Sequence, residues 1–313
     1  MYAWNHDRRF NAYSNYFKHR FGRRIQKLTI DAGFTCPNRD GSIATGGCSY
    51  CDNNAFSPSY CNSRKSITQQ IEEGIEFHQK RYRKAENYLA YFQSYTNTYA
   101  PLDVLKQKFS EALANEKIIG IIVGTRPDCI DEEKLDYLAE IAQKKYVVIE
   151  YGVETCNNHT LKLINRGHDF ETSVRALELT KKMGLKAGIH LIFGLPNENK
   201  EEWMQWTECL SDLPIHSIKF HQLQIIKNTP MVAYYTQHPE NFYQFSFDDY
   251  VDFIIDFLER LNPQFLIERL TGEVPPAYLF TKPWNLLRND QMLQLIENKM
   301  EERNTWQGRL YKR

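Results

Sequence analysis

Short β-rich apolar runs alternate along the chain with longer stretches whose apolar positions recur every three or four residues. The runs predict strands over 24–31, 87–94, 117–124, 146–153, 185–194 and 217–226. The helical spacing falls at 66–84, 101–115, 131–144, 170–183, 199–211, 246–261 and 288–303. Helix starts carry capping pairs, Ser66 with Gln69, Asn199 with Glu202 and Ser246 with Asp249, and Pro101 suits a first turn. Such alternation with short connections implies right-handed βαβ units and a parallel sheet. On the fourth run Val147, Ile149, Tyr151 and Val153 share one face, and Glu150, Gly152 and Glu154 the other. On the sixth, Ile218 and Phe220 oppose Lys219 and His221. Charged inner faces suit the lumen of a barrel better than a sheet sandwiched between helices. The expected fold is α/β, a partial (β/α)6 TIM-like barrel with a C-terminal cap. In that division 1–23 is a basic N-terminal extension, 24–230 the barrel and 231–313 a C-terminal extension packed on it. The extension holds a strand-like FLIERL (265–270), the Pro-rich VPPAYLFTKPW (274–284) and the last helix, with no Gly/Ser linker before it.

Composition narrows the class. Of 313 residues, 42% are hydrophobic and 25% charged, enough for a large core and against global disorder. No run approaches the ~18 apolar residues of a membrane span, and MYAWNHDRRF has no apolar signal-peptide core. The cysteines number seven, an odd count that fits free thiols in a reducing compartment, so a cytoplasmic location without membrane association is expected.

The most specific motif is CPNRDGSIATGGCSYC, which places Cys36, Cys48 and Cys51 directly after the first strand. That is the C-terminal mouth of a parallel sheet, where such folds locate their chemistry. Three thiolates can hold three irons of a 4Fe-4S cluster and leave the fourth iron open. The plainer alternative is structural zinc, with Cys61 as a fourth ligand.

The loop, with aromatic Tyr50 before its third cysteine, resembles that of the radical SAM superfamily. YFQSYTNTY (91–99), GTRPD (124–128), GVET (152–155), INRGHD (164–169) and HLIFGLPNE (190–198) continue the likeness. These strand ends are similar to those of coproporphyrinogen dehydrogenase and the elongator catalytic subunit. With ERLTGE (268–273), KPW (282–284) and WQGRLY (306–311), nearly the whole chain resembles the YtqA/YhcC-type subgroup. The resemblance implies a 4Fe-4S cluster on Cys36, Cys48 and Cys51, with S-adenosylmethionine (SAM) chelating the open iron. It implies reductive cleavage of SAM to a 5′-deoxyadenosyl radical, with an electron donor such as flavodoxin or ferredoxin. By the same resemblance Arg166 pairs with the SAM carboxylate, and Tyr50, Ser94, Tyr95, Thr96, Glu154, His190 and Gly194 stand at SAM-binding positions. Gly124 and His190 depart from the Glu and Asp that relatives place there. Lys219 and His221 are the candidates for substrate contact; the plainer role for Lys219 is an ion pair with Glu150.

The 39 basic and 39 acidic residues cancel, yet unevenly along the chain. Residues 1–27 carry seven basic groups against Asp7, interleaved with Tyr13, Tyr16, Phe17 and Phe21, a combination suited to RNA phosphates and stacked bases. Lys80, Arg81, Arg83 and Lys84 form a second cluster, whereas 239–259 hold six acids and no Lys or Arg. The subgroup's association implies tRNA as partner, with a wobble-uridine side chain remodelled from carboxymethylaminomethyl toward aminomethyl. A small-molecule or protein substrate is the second reading, and a zinc-stabilised, non-catalytic RNA-binding or adaptor protein the third.

Overall fold

The computed structural model describes residues 2–81 and 85–312. One sheet runs in chain order through β1 (Ile25–Ile30), β2 (Asn87–Phe92), β3 (Ile118–Thr125), β4 (Tyr146–Glu154), β5 (Lys186–Phe193), β6 (Ser217–Gln222) and β7 (Leu266–Arg269). Every neighbouring pair is parallel, and the sheet curls into a half-barrel. Helices α2 (Ile67–Arg81), α3 (Leu102–Leu113), α4 (Glu132–Ala142), α6 (Phe170–Lys182), α7 (Lys200–Ser211), α9 (Phe247–Arg260) and α10 (Asn289–Glu302) fall where the spacing predicts them. Three further helices, α1 (Tyr13–Phe21), α5 (Asn158–Leu163) and α8 (Pro230–Gln237), are not predicted by it.

The capping pairs hold by half. The backbone N–H groups of Gln69, Glu202 and Asp249 donate to Ser66, Asn199 and Ser246 at 3.0, 2.9 and 3.2 Å. The reciprocal side chains are engaged elsewhere: Gln69 donates to Glu73, and Asp249 accepts from Lys200 and Tyr243. Pro101 stands one residue earlier than expected, as the N-cap of α3.

FLIERL is the main correction to the predicted six strands. It supplies β7, which pairs with β6, rather than part of a cap. The run is strand-like in sequence, but two helices separate it from β6, so its place in the sheet is not legible there.

Outward-facing strand residues, among them Val147, Ile149, Tyr151 and Val153 of β4 and Ile218 and Phe220 of β6, form the main core beneath the helices. The inward face is layered. Its lower end is apolar: Leu89, Ile122, Tyr146, Val148 and Leu266 close over Tyr13 and Phe17 of α1. Burying each of those two rings contributes roughly 2–3 kcal/mol by apolar area. The aromatics of the N-terminal segment therefore plug the barrel instead of offering a stacking surface; Tyr16 and Phe21 pack there too. The segment is also tied into the body. Ile267 N donates to Asn11 O at 2.8 Å, and Asn11 N donates to Gln307 Oε1 at 2.8 Å. The late acidic run is absorbed by the tail, where Arg303 meets Asp252 and Asp256 and Arg309 meets Glu259. Of the second basic cluster, Lys80 pairs with Glu76 at 2.6 Å, and residues 82–84 lie outside the described residues. Among the described residues no helix is long and apolar enough to cross a membrane.

Candidate functional site

Above the apolar plug, the half-barrel encloses a cavity of about 900 Å3 at the C-terminal ends of its strands. Cys36, Cys48 and Cys51 line its mouth as free thiols. The loop carrying them folds on its own backbone: Ile43 N donates to Pro37 O and Gly47 N to Asn38 O, each at 2.8 Å. Gly47 takes φ +80°, and a Cβ there would lie 2.7 Å from Arg39 Nε, so only glycine allows Arg39 to cross and donate to Cys51 O. Donors converge on the sulfurs. Asn38 Nδ2 and Arg166 Nη1 reach Cys48 Sγ at 3.2 and 3.5 Å, and a 3.0 Å hydrogen bond joins Cys36 Sγ to Thr96 Oγ1. Burial raises the Cys36 thiol and pushes Cys51 up to about 12, which disfavours the thiolate at both sulfurs in the absence of a cation.

Cys61 does not join this set. It is buried off the cavity wall beside Asp31 and Ser94, and burial pushes its thiol up to about 12. Among the described residues no three His, Cys, Asp or Glu side chains converge tightly enough for a single metal ion. Cys61 thus stands apart from the other three thiols, and three thiolates on one mouth match the protein ligands of an iron–sulfur cluster with one open iron.

At the end of β4 the register with β5 breaks between Gly152 and Glu154, and Glu154 takes φ +69°. The irregularity brings Glu154 to 3.7 Å from Arg166, whose Nη2 donates to Gly152 O at 2.6 Å. A Cβ at Gly152 would stand 2.4 Å from Glu154 Oε1 and 2.6 Å from Arg166 Nη2, so glycine is what lets this pair form. Arg166 Nε remains buried without a partner, as does Arg126 Nη1 on the same wall. Two arginines that line the cavity and each keep a buried N–H group without a partner fit an anionic ligand such as a carboxylate. Arg126 lies in GTRPD, where nothing in the sequence marks it as a site residue; its fork is set by Asp128 at 2.9 and 2.7 Å.

Tyr50, Tyr95, Thr96 and His190 also line the cavity. Tyr50 packs on the apolar cluster of Leu195 and Met231. Tyr95 holds φ +61° with its N–H on Asn53 Oδ1, and Arg39 lies over its ring at 5.7 Å. Two expected positions fall off the wall. Ser94 is buried beside Cys61, and Gly194 turns the chain after β5 at φ +93° toward Tyr243 and Leu223.

Below the mouth lies a layer of charge. Glu150 of β4 accepts from Lys27 at 2.9 Å, Lys219 at 2.5 Å and His190 at 3.1 Å. Lys27 and Lys219 also reach Glu268 of β7 at 2.6 and 3.1 Å, and Lys219 donates to Tyr91 Oη. Burial opposes charge on Glu150, but Lys219 and Lys27 hold its carboxyl well below the usual range. Lys219 is therefore occupied by carboxylates, as its plainer reading holds. His221 differs: its Nε2 has no partner, and burial, with Arg269 next, depresses its pKa well below 6.5, so it presents a neutral imidazole to the cavity.

Behind β4 a second carboxyl is buried. Glu198, 5% exposed, accepts from Thr155 Oγ1 at 2.5 Å and Trp203 Nε1 at 2.8 Å. Burial raises it to about 7, against hydrogen bonds from Thr155, Trp203 and Thr160 that lower it. A raised carboxyl binds a proton in the folded state that the unfolded chain has lost. Its contribution is complete below about pH 4.5 and disappears as pH rises through about 7. Thermal unfolding across pH 5–8 is expected to show the stability advantage of the wild type over Glu198→Gln shrinking by roughly 2–3 kcal/mol over that interval. Equal pH slopes for the two proteins would refute the assignment.

Comparison with known proteins agrees with this architecture. Residues 39–210 match the radical SAM superfamily model, and 215–302 match the Radical_SAM C-terminal domain. YtqA of Bacillus subtilis is 36% identical over 311 residues, covering 99% of this chain and 95% of that protein. A tRNA uridine(34) acetyltransferase of Methanocaldococcus infernus is 33% identical over 95 residues, 30% of this chain and 17% of that protein. The solved archaeal Elp3 of M. infernus superposes with a TM-score of 0.68 at 15% identity, covering 90% of this chain and 64% of that one. With the family model spanning more than half the chain and YtqA nearly all of it, this protein belongs to the radical SAM superfamily and is a radical SAM enzyme.

Proposed function

We propose that Cys36, Cys48 and Cys51 hold a 4Fe-4S cluster, and that the enzyme acts on the wobble-uridine side chain of tRNA, taking carboxymethylaminomethyl-uridine toward aminomethyl-uridine. The observation that carries the first part is the set of three free thiols on one mouth, each near a polar donor (Thr96, Asn38 and Asn53), beside two buried arginines with unpartnered N–H groups. When bound, the cluster and SAM supply one-electron chemistry and a 5′-deoxyadenosyl radical, with a flavodoxin- or ferredoxin-type donor providing the electron. The protein's share is orientation in a water-poor site. Arg166 and Arg126 hold the SAM carboxylate, Glu154 takes its amino group, and Tyr50, Tyr95 and Thr96 shape the wall around it. Asn38 and Arg166 stabilise thiolate charge on Cys48 through their N–H groups. The neutral His221 faces the substrate end, where it can accept a proton or a hydrogen bond.

The substrate reading rests on two supports. One is the stretch shared with a protein named for tRNA uridine 34. The other is the cavity, at the upper end of the ~300–1,000 Å3 range of ligand pockets, which leaves room for a nucleotide beside the cofactor. Nucleoside analysis of tRNA from cells lacking the gene tests it. Carboxymethylaminomethyl-uridine is expected to accumulate at the wobble position at the expense of aminomethyl-uridine. An unchanged profile would exclude this substrate and turn attention to a small molecule or a protein.

A further inference from the structure

A second hollow of about 560 Å3 lies beside the reaction cavity, between the N-terminal segment, β1, β7 and α10. It exists because the half-barrel does not close. β1 pairs only with β2 and β7 only with β6, and the segment through Ala12 covers the β7 edge while the β1 edge stays on the hollow's wall. Lys27, Glu268, Arg269, Thr271 and Asn289 line both spaces, so the hollow and the reaction cavity share one wall.

Its wall carries Arg8, Lys18, Arg24, Lys27 and Arg269 against a single acid, Glu268. Lys27 is neutralised by Glu150 and Glu268, and Arg8 by Glu297. Lys18 and Arg269 are exposed, and among the described residues no carboxylate pairs with either. Two buried polar atoms on the wall also lack partners: the hydroxyl of Tyr13, which is 8% exposed, and Glu268 Oε2 on the wall shared with the cavity. Buried polar groups are nearly always satisfied, so these mark positions a bound molecule completes.

We propose that this seam is the entry track for a single RNA strand. Its phosphates lie along Lys18 and Arg269, and one nucleotide turns past Glu268 into the reaction cavity. The choice of polymer rests on the tRNA reading above, and the wall itself supports it. Exposed cations outside a neutralised interior fit a chain that bears one negative charge per unit. Glu268 Oε2 accepts hydrogen bonds only, so it admits the N–H edge of a nucleobase and repels the carboxylates of an acidic peptide.

Fluorescence anisotropy of the anaerobically reconstituted holoenzyme with an unmodified RNA stem-loop tests the track. Lys18→Glu combined with Arg269→Glu is expected to weaken binding roughly tenfold or more at ~0.1 M salt and to flatten the salt slope by about 1–2. Lys181→Glu, on the outer helix α6, is expected to stay within about twofold. Should charge reversal disturb folding, Lys18→Gln with Arg269→Gln is expected to show about half the effect on log K. Wild-type binding with either seam pair within twofold would overturn the track and leave the tRNA reading standing. No RNA binding by the wild type would overturn both. Polyglutamate competing as well as RNA would overturn the choice of polymer.

Discussion

Replacing Cys48 with alanine is expected to abolish SAM cleavage, lowering 5′-deoxyadenosine formation by about a thousandfold or more. Losing even an outer partner of a metal ligand costs ~10–100-fold. On the proposed assignment this substitution removes a ligand itself, together with the acceptor of two N–H donors, Asn38 Nδ2 and Arg166 Nη1. The two remaining thiols cannot hold three irons, so anaerobically reconstituted protein should lose its brown colour and most of its iron. The fold should survive, because a thiol-to-methyl change at a loop position leaves a small void worth about 1 kcal/mol. A melting temperature within a few degrees of the iron-free wild type, with lost iron, separates ligand loss from unfolding. Cys61→Ala is the matched control: Cys61 lies off the cavity wall, and its variant should keep both colour and activity. Wild-type 5′-deoxyadenosine formation by Cys48→Ala would refute the cluster assignment outright.

The three cysteines were legible because their spacing is local. Other parts of the site are built by residues that sequence separates widely. Polar alternation on the fourth and sixth strands announced Glu150, Lys219 and His221 as lumen residues, since strand period fixes the face. What it could not announce is that Lys27 and Glu268, from opposite edges of the sheet, complete the same charge layer. The amino-terminal aromatics misled for a related reason. An amphipathic helix under a barrel and a stacking surface for bases share one composition, and only tertiary contact with Tyr146 and Val148 decides between them. Ser94 and Thr96 lie two apart beyond the end of β2, in irregular chain where alternation no longer fixes direction. Thr96 meets Cys36 and Ser94 turns to Cys61. Arg126 was visible in its motif, but an orphaned N–H is a property of the folded wall alone. Likewise the late acids read as an unpaired run because Arg303 and Arg309 lie beyond them in the tail.

Glu150 is where the second large effect is expected. Its carboxylate is 2% exposed and receives two ammonium groups and an imidazole. Glu150→Gln leaves Lys27 and Lys219 with Glu268 as their only carboxylate. Breaking a buried ion pair from one side costs about 3–5 kcal/mol, because the stranded charge stays desolvated. For a chain of this size that is a fall in melting temperature of about 5–15 °C. Lys219→Met should be destabilising as well, by stranding Glu150 in part. The double variant Glu150→Gln/Lys219→Met should be less destabilised than the two single losses added together, since it leaves Lys27 with Glu268 as a balanced pair. The acid limb supplies a second check. A carboxyl held below its unfolded value contributes stability above that value, and this is lost as pH falls through the folded one. The wild type should therefore lose stability on acidification more steeply than Glu150→Gln. Additive single and double variants with parallel acid limbs would mean the four groups do not act as one network. The position of the layer ties this stability to chemistry. It sits between the apolar plug and the cavity, with Gly188 leaving room for Glu150 against Ser217, so losing it loosens the floor on which the substrate end rests.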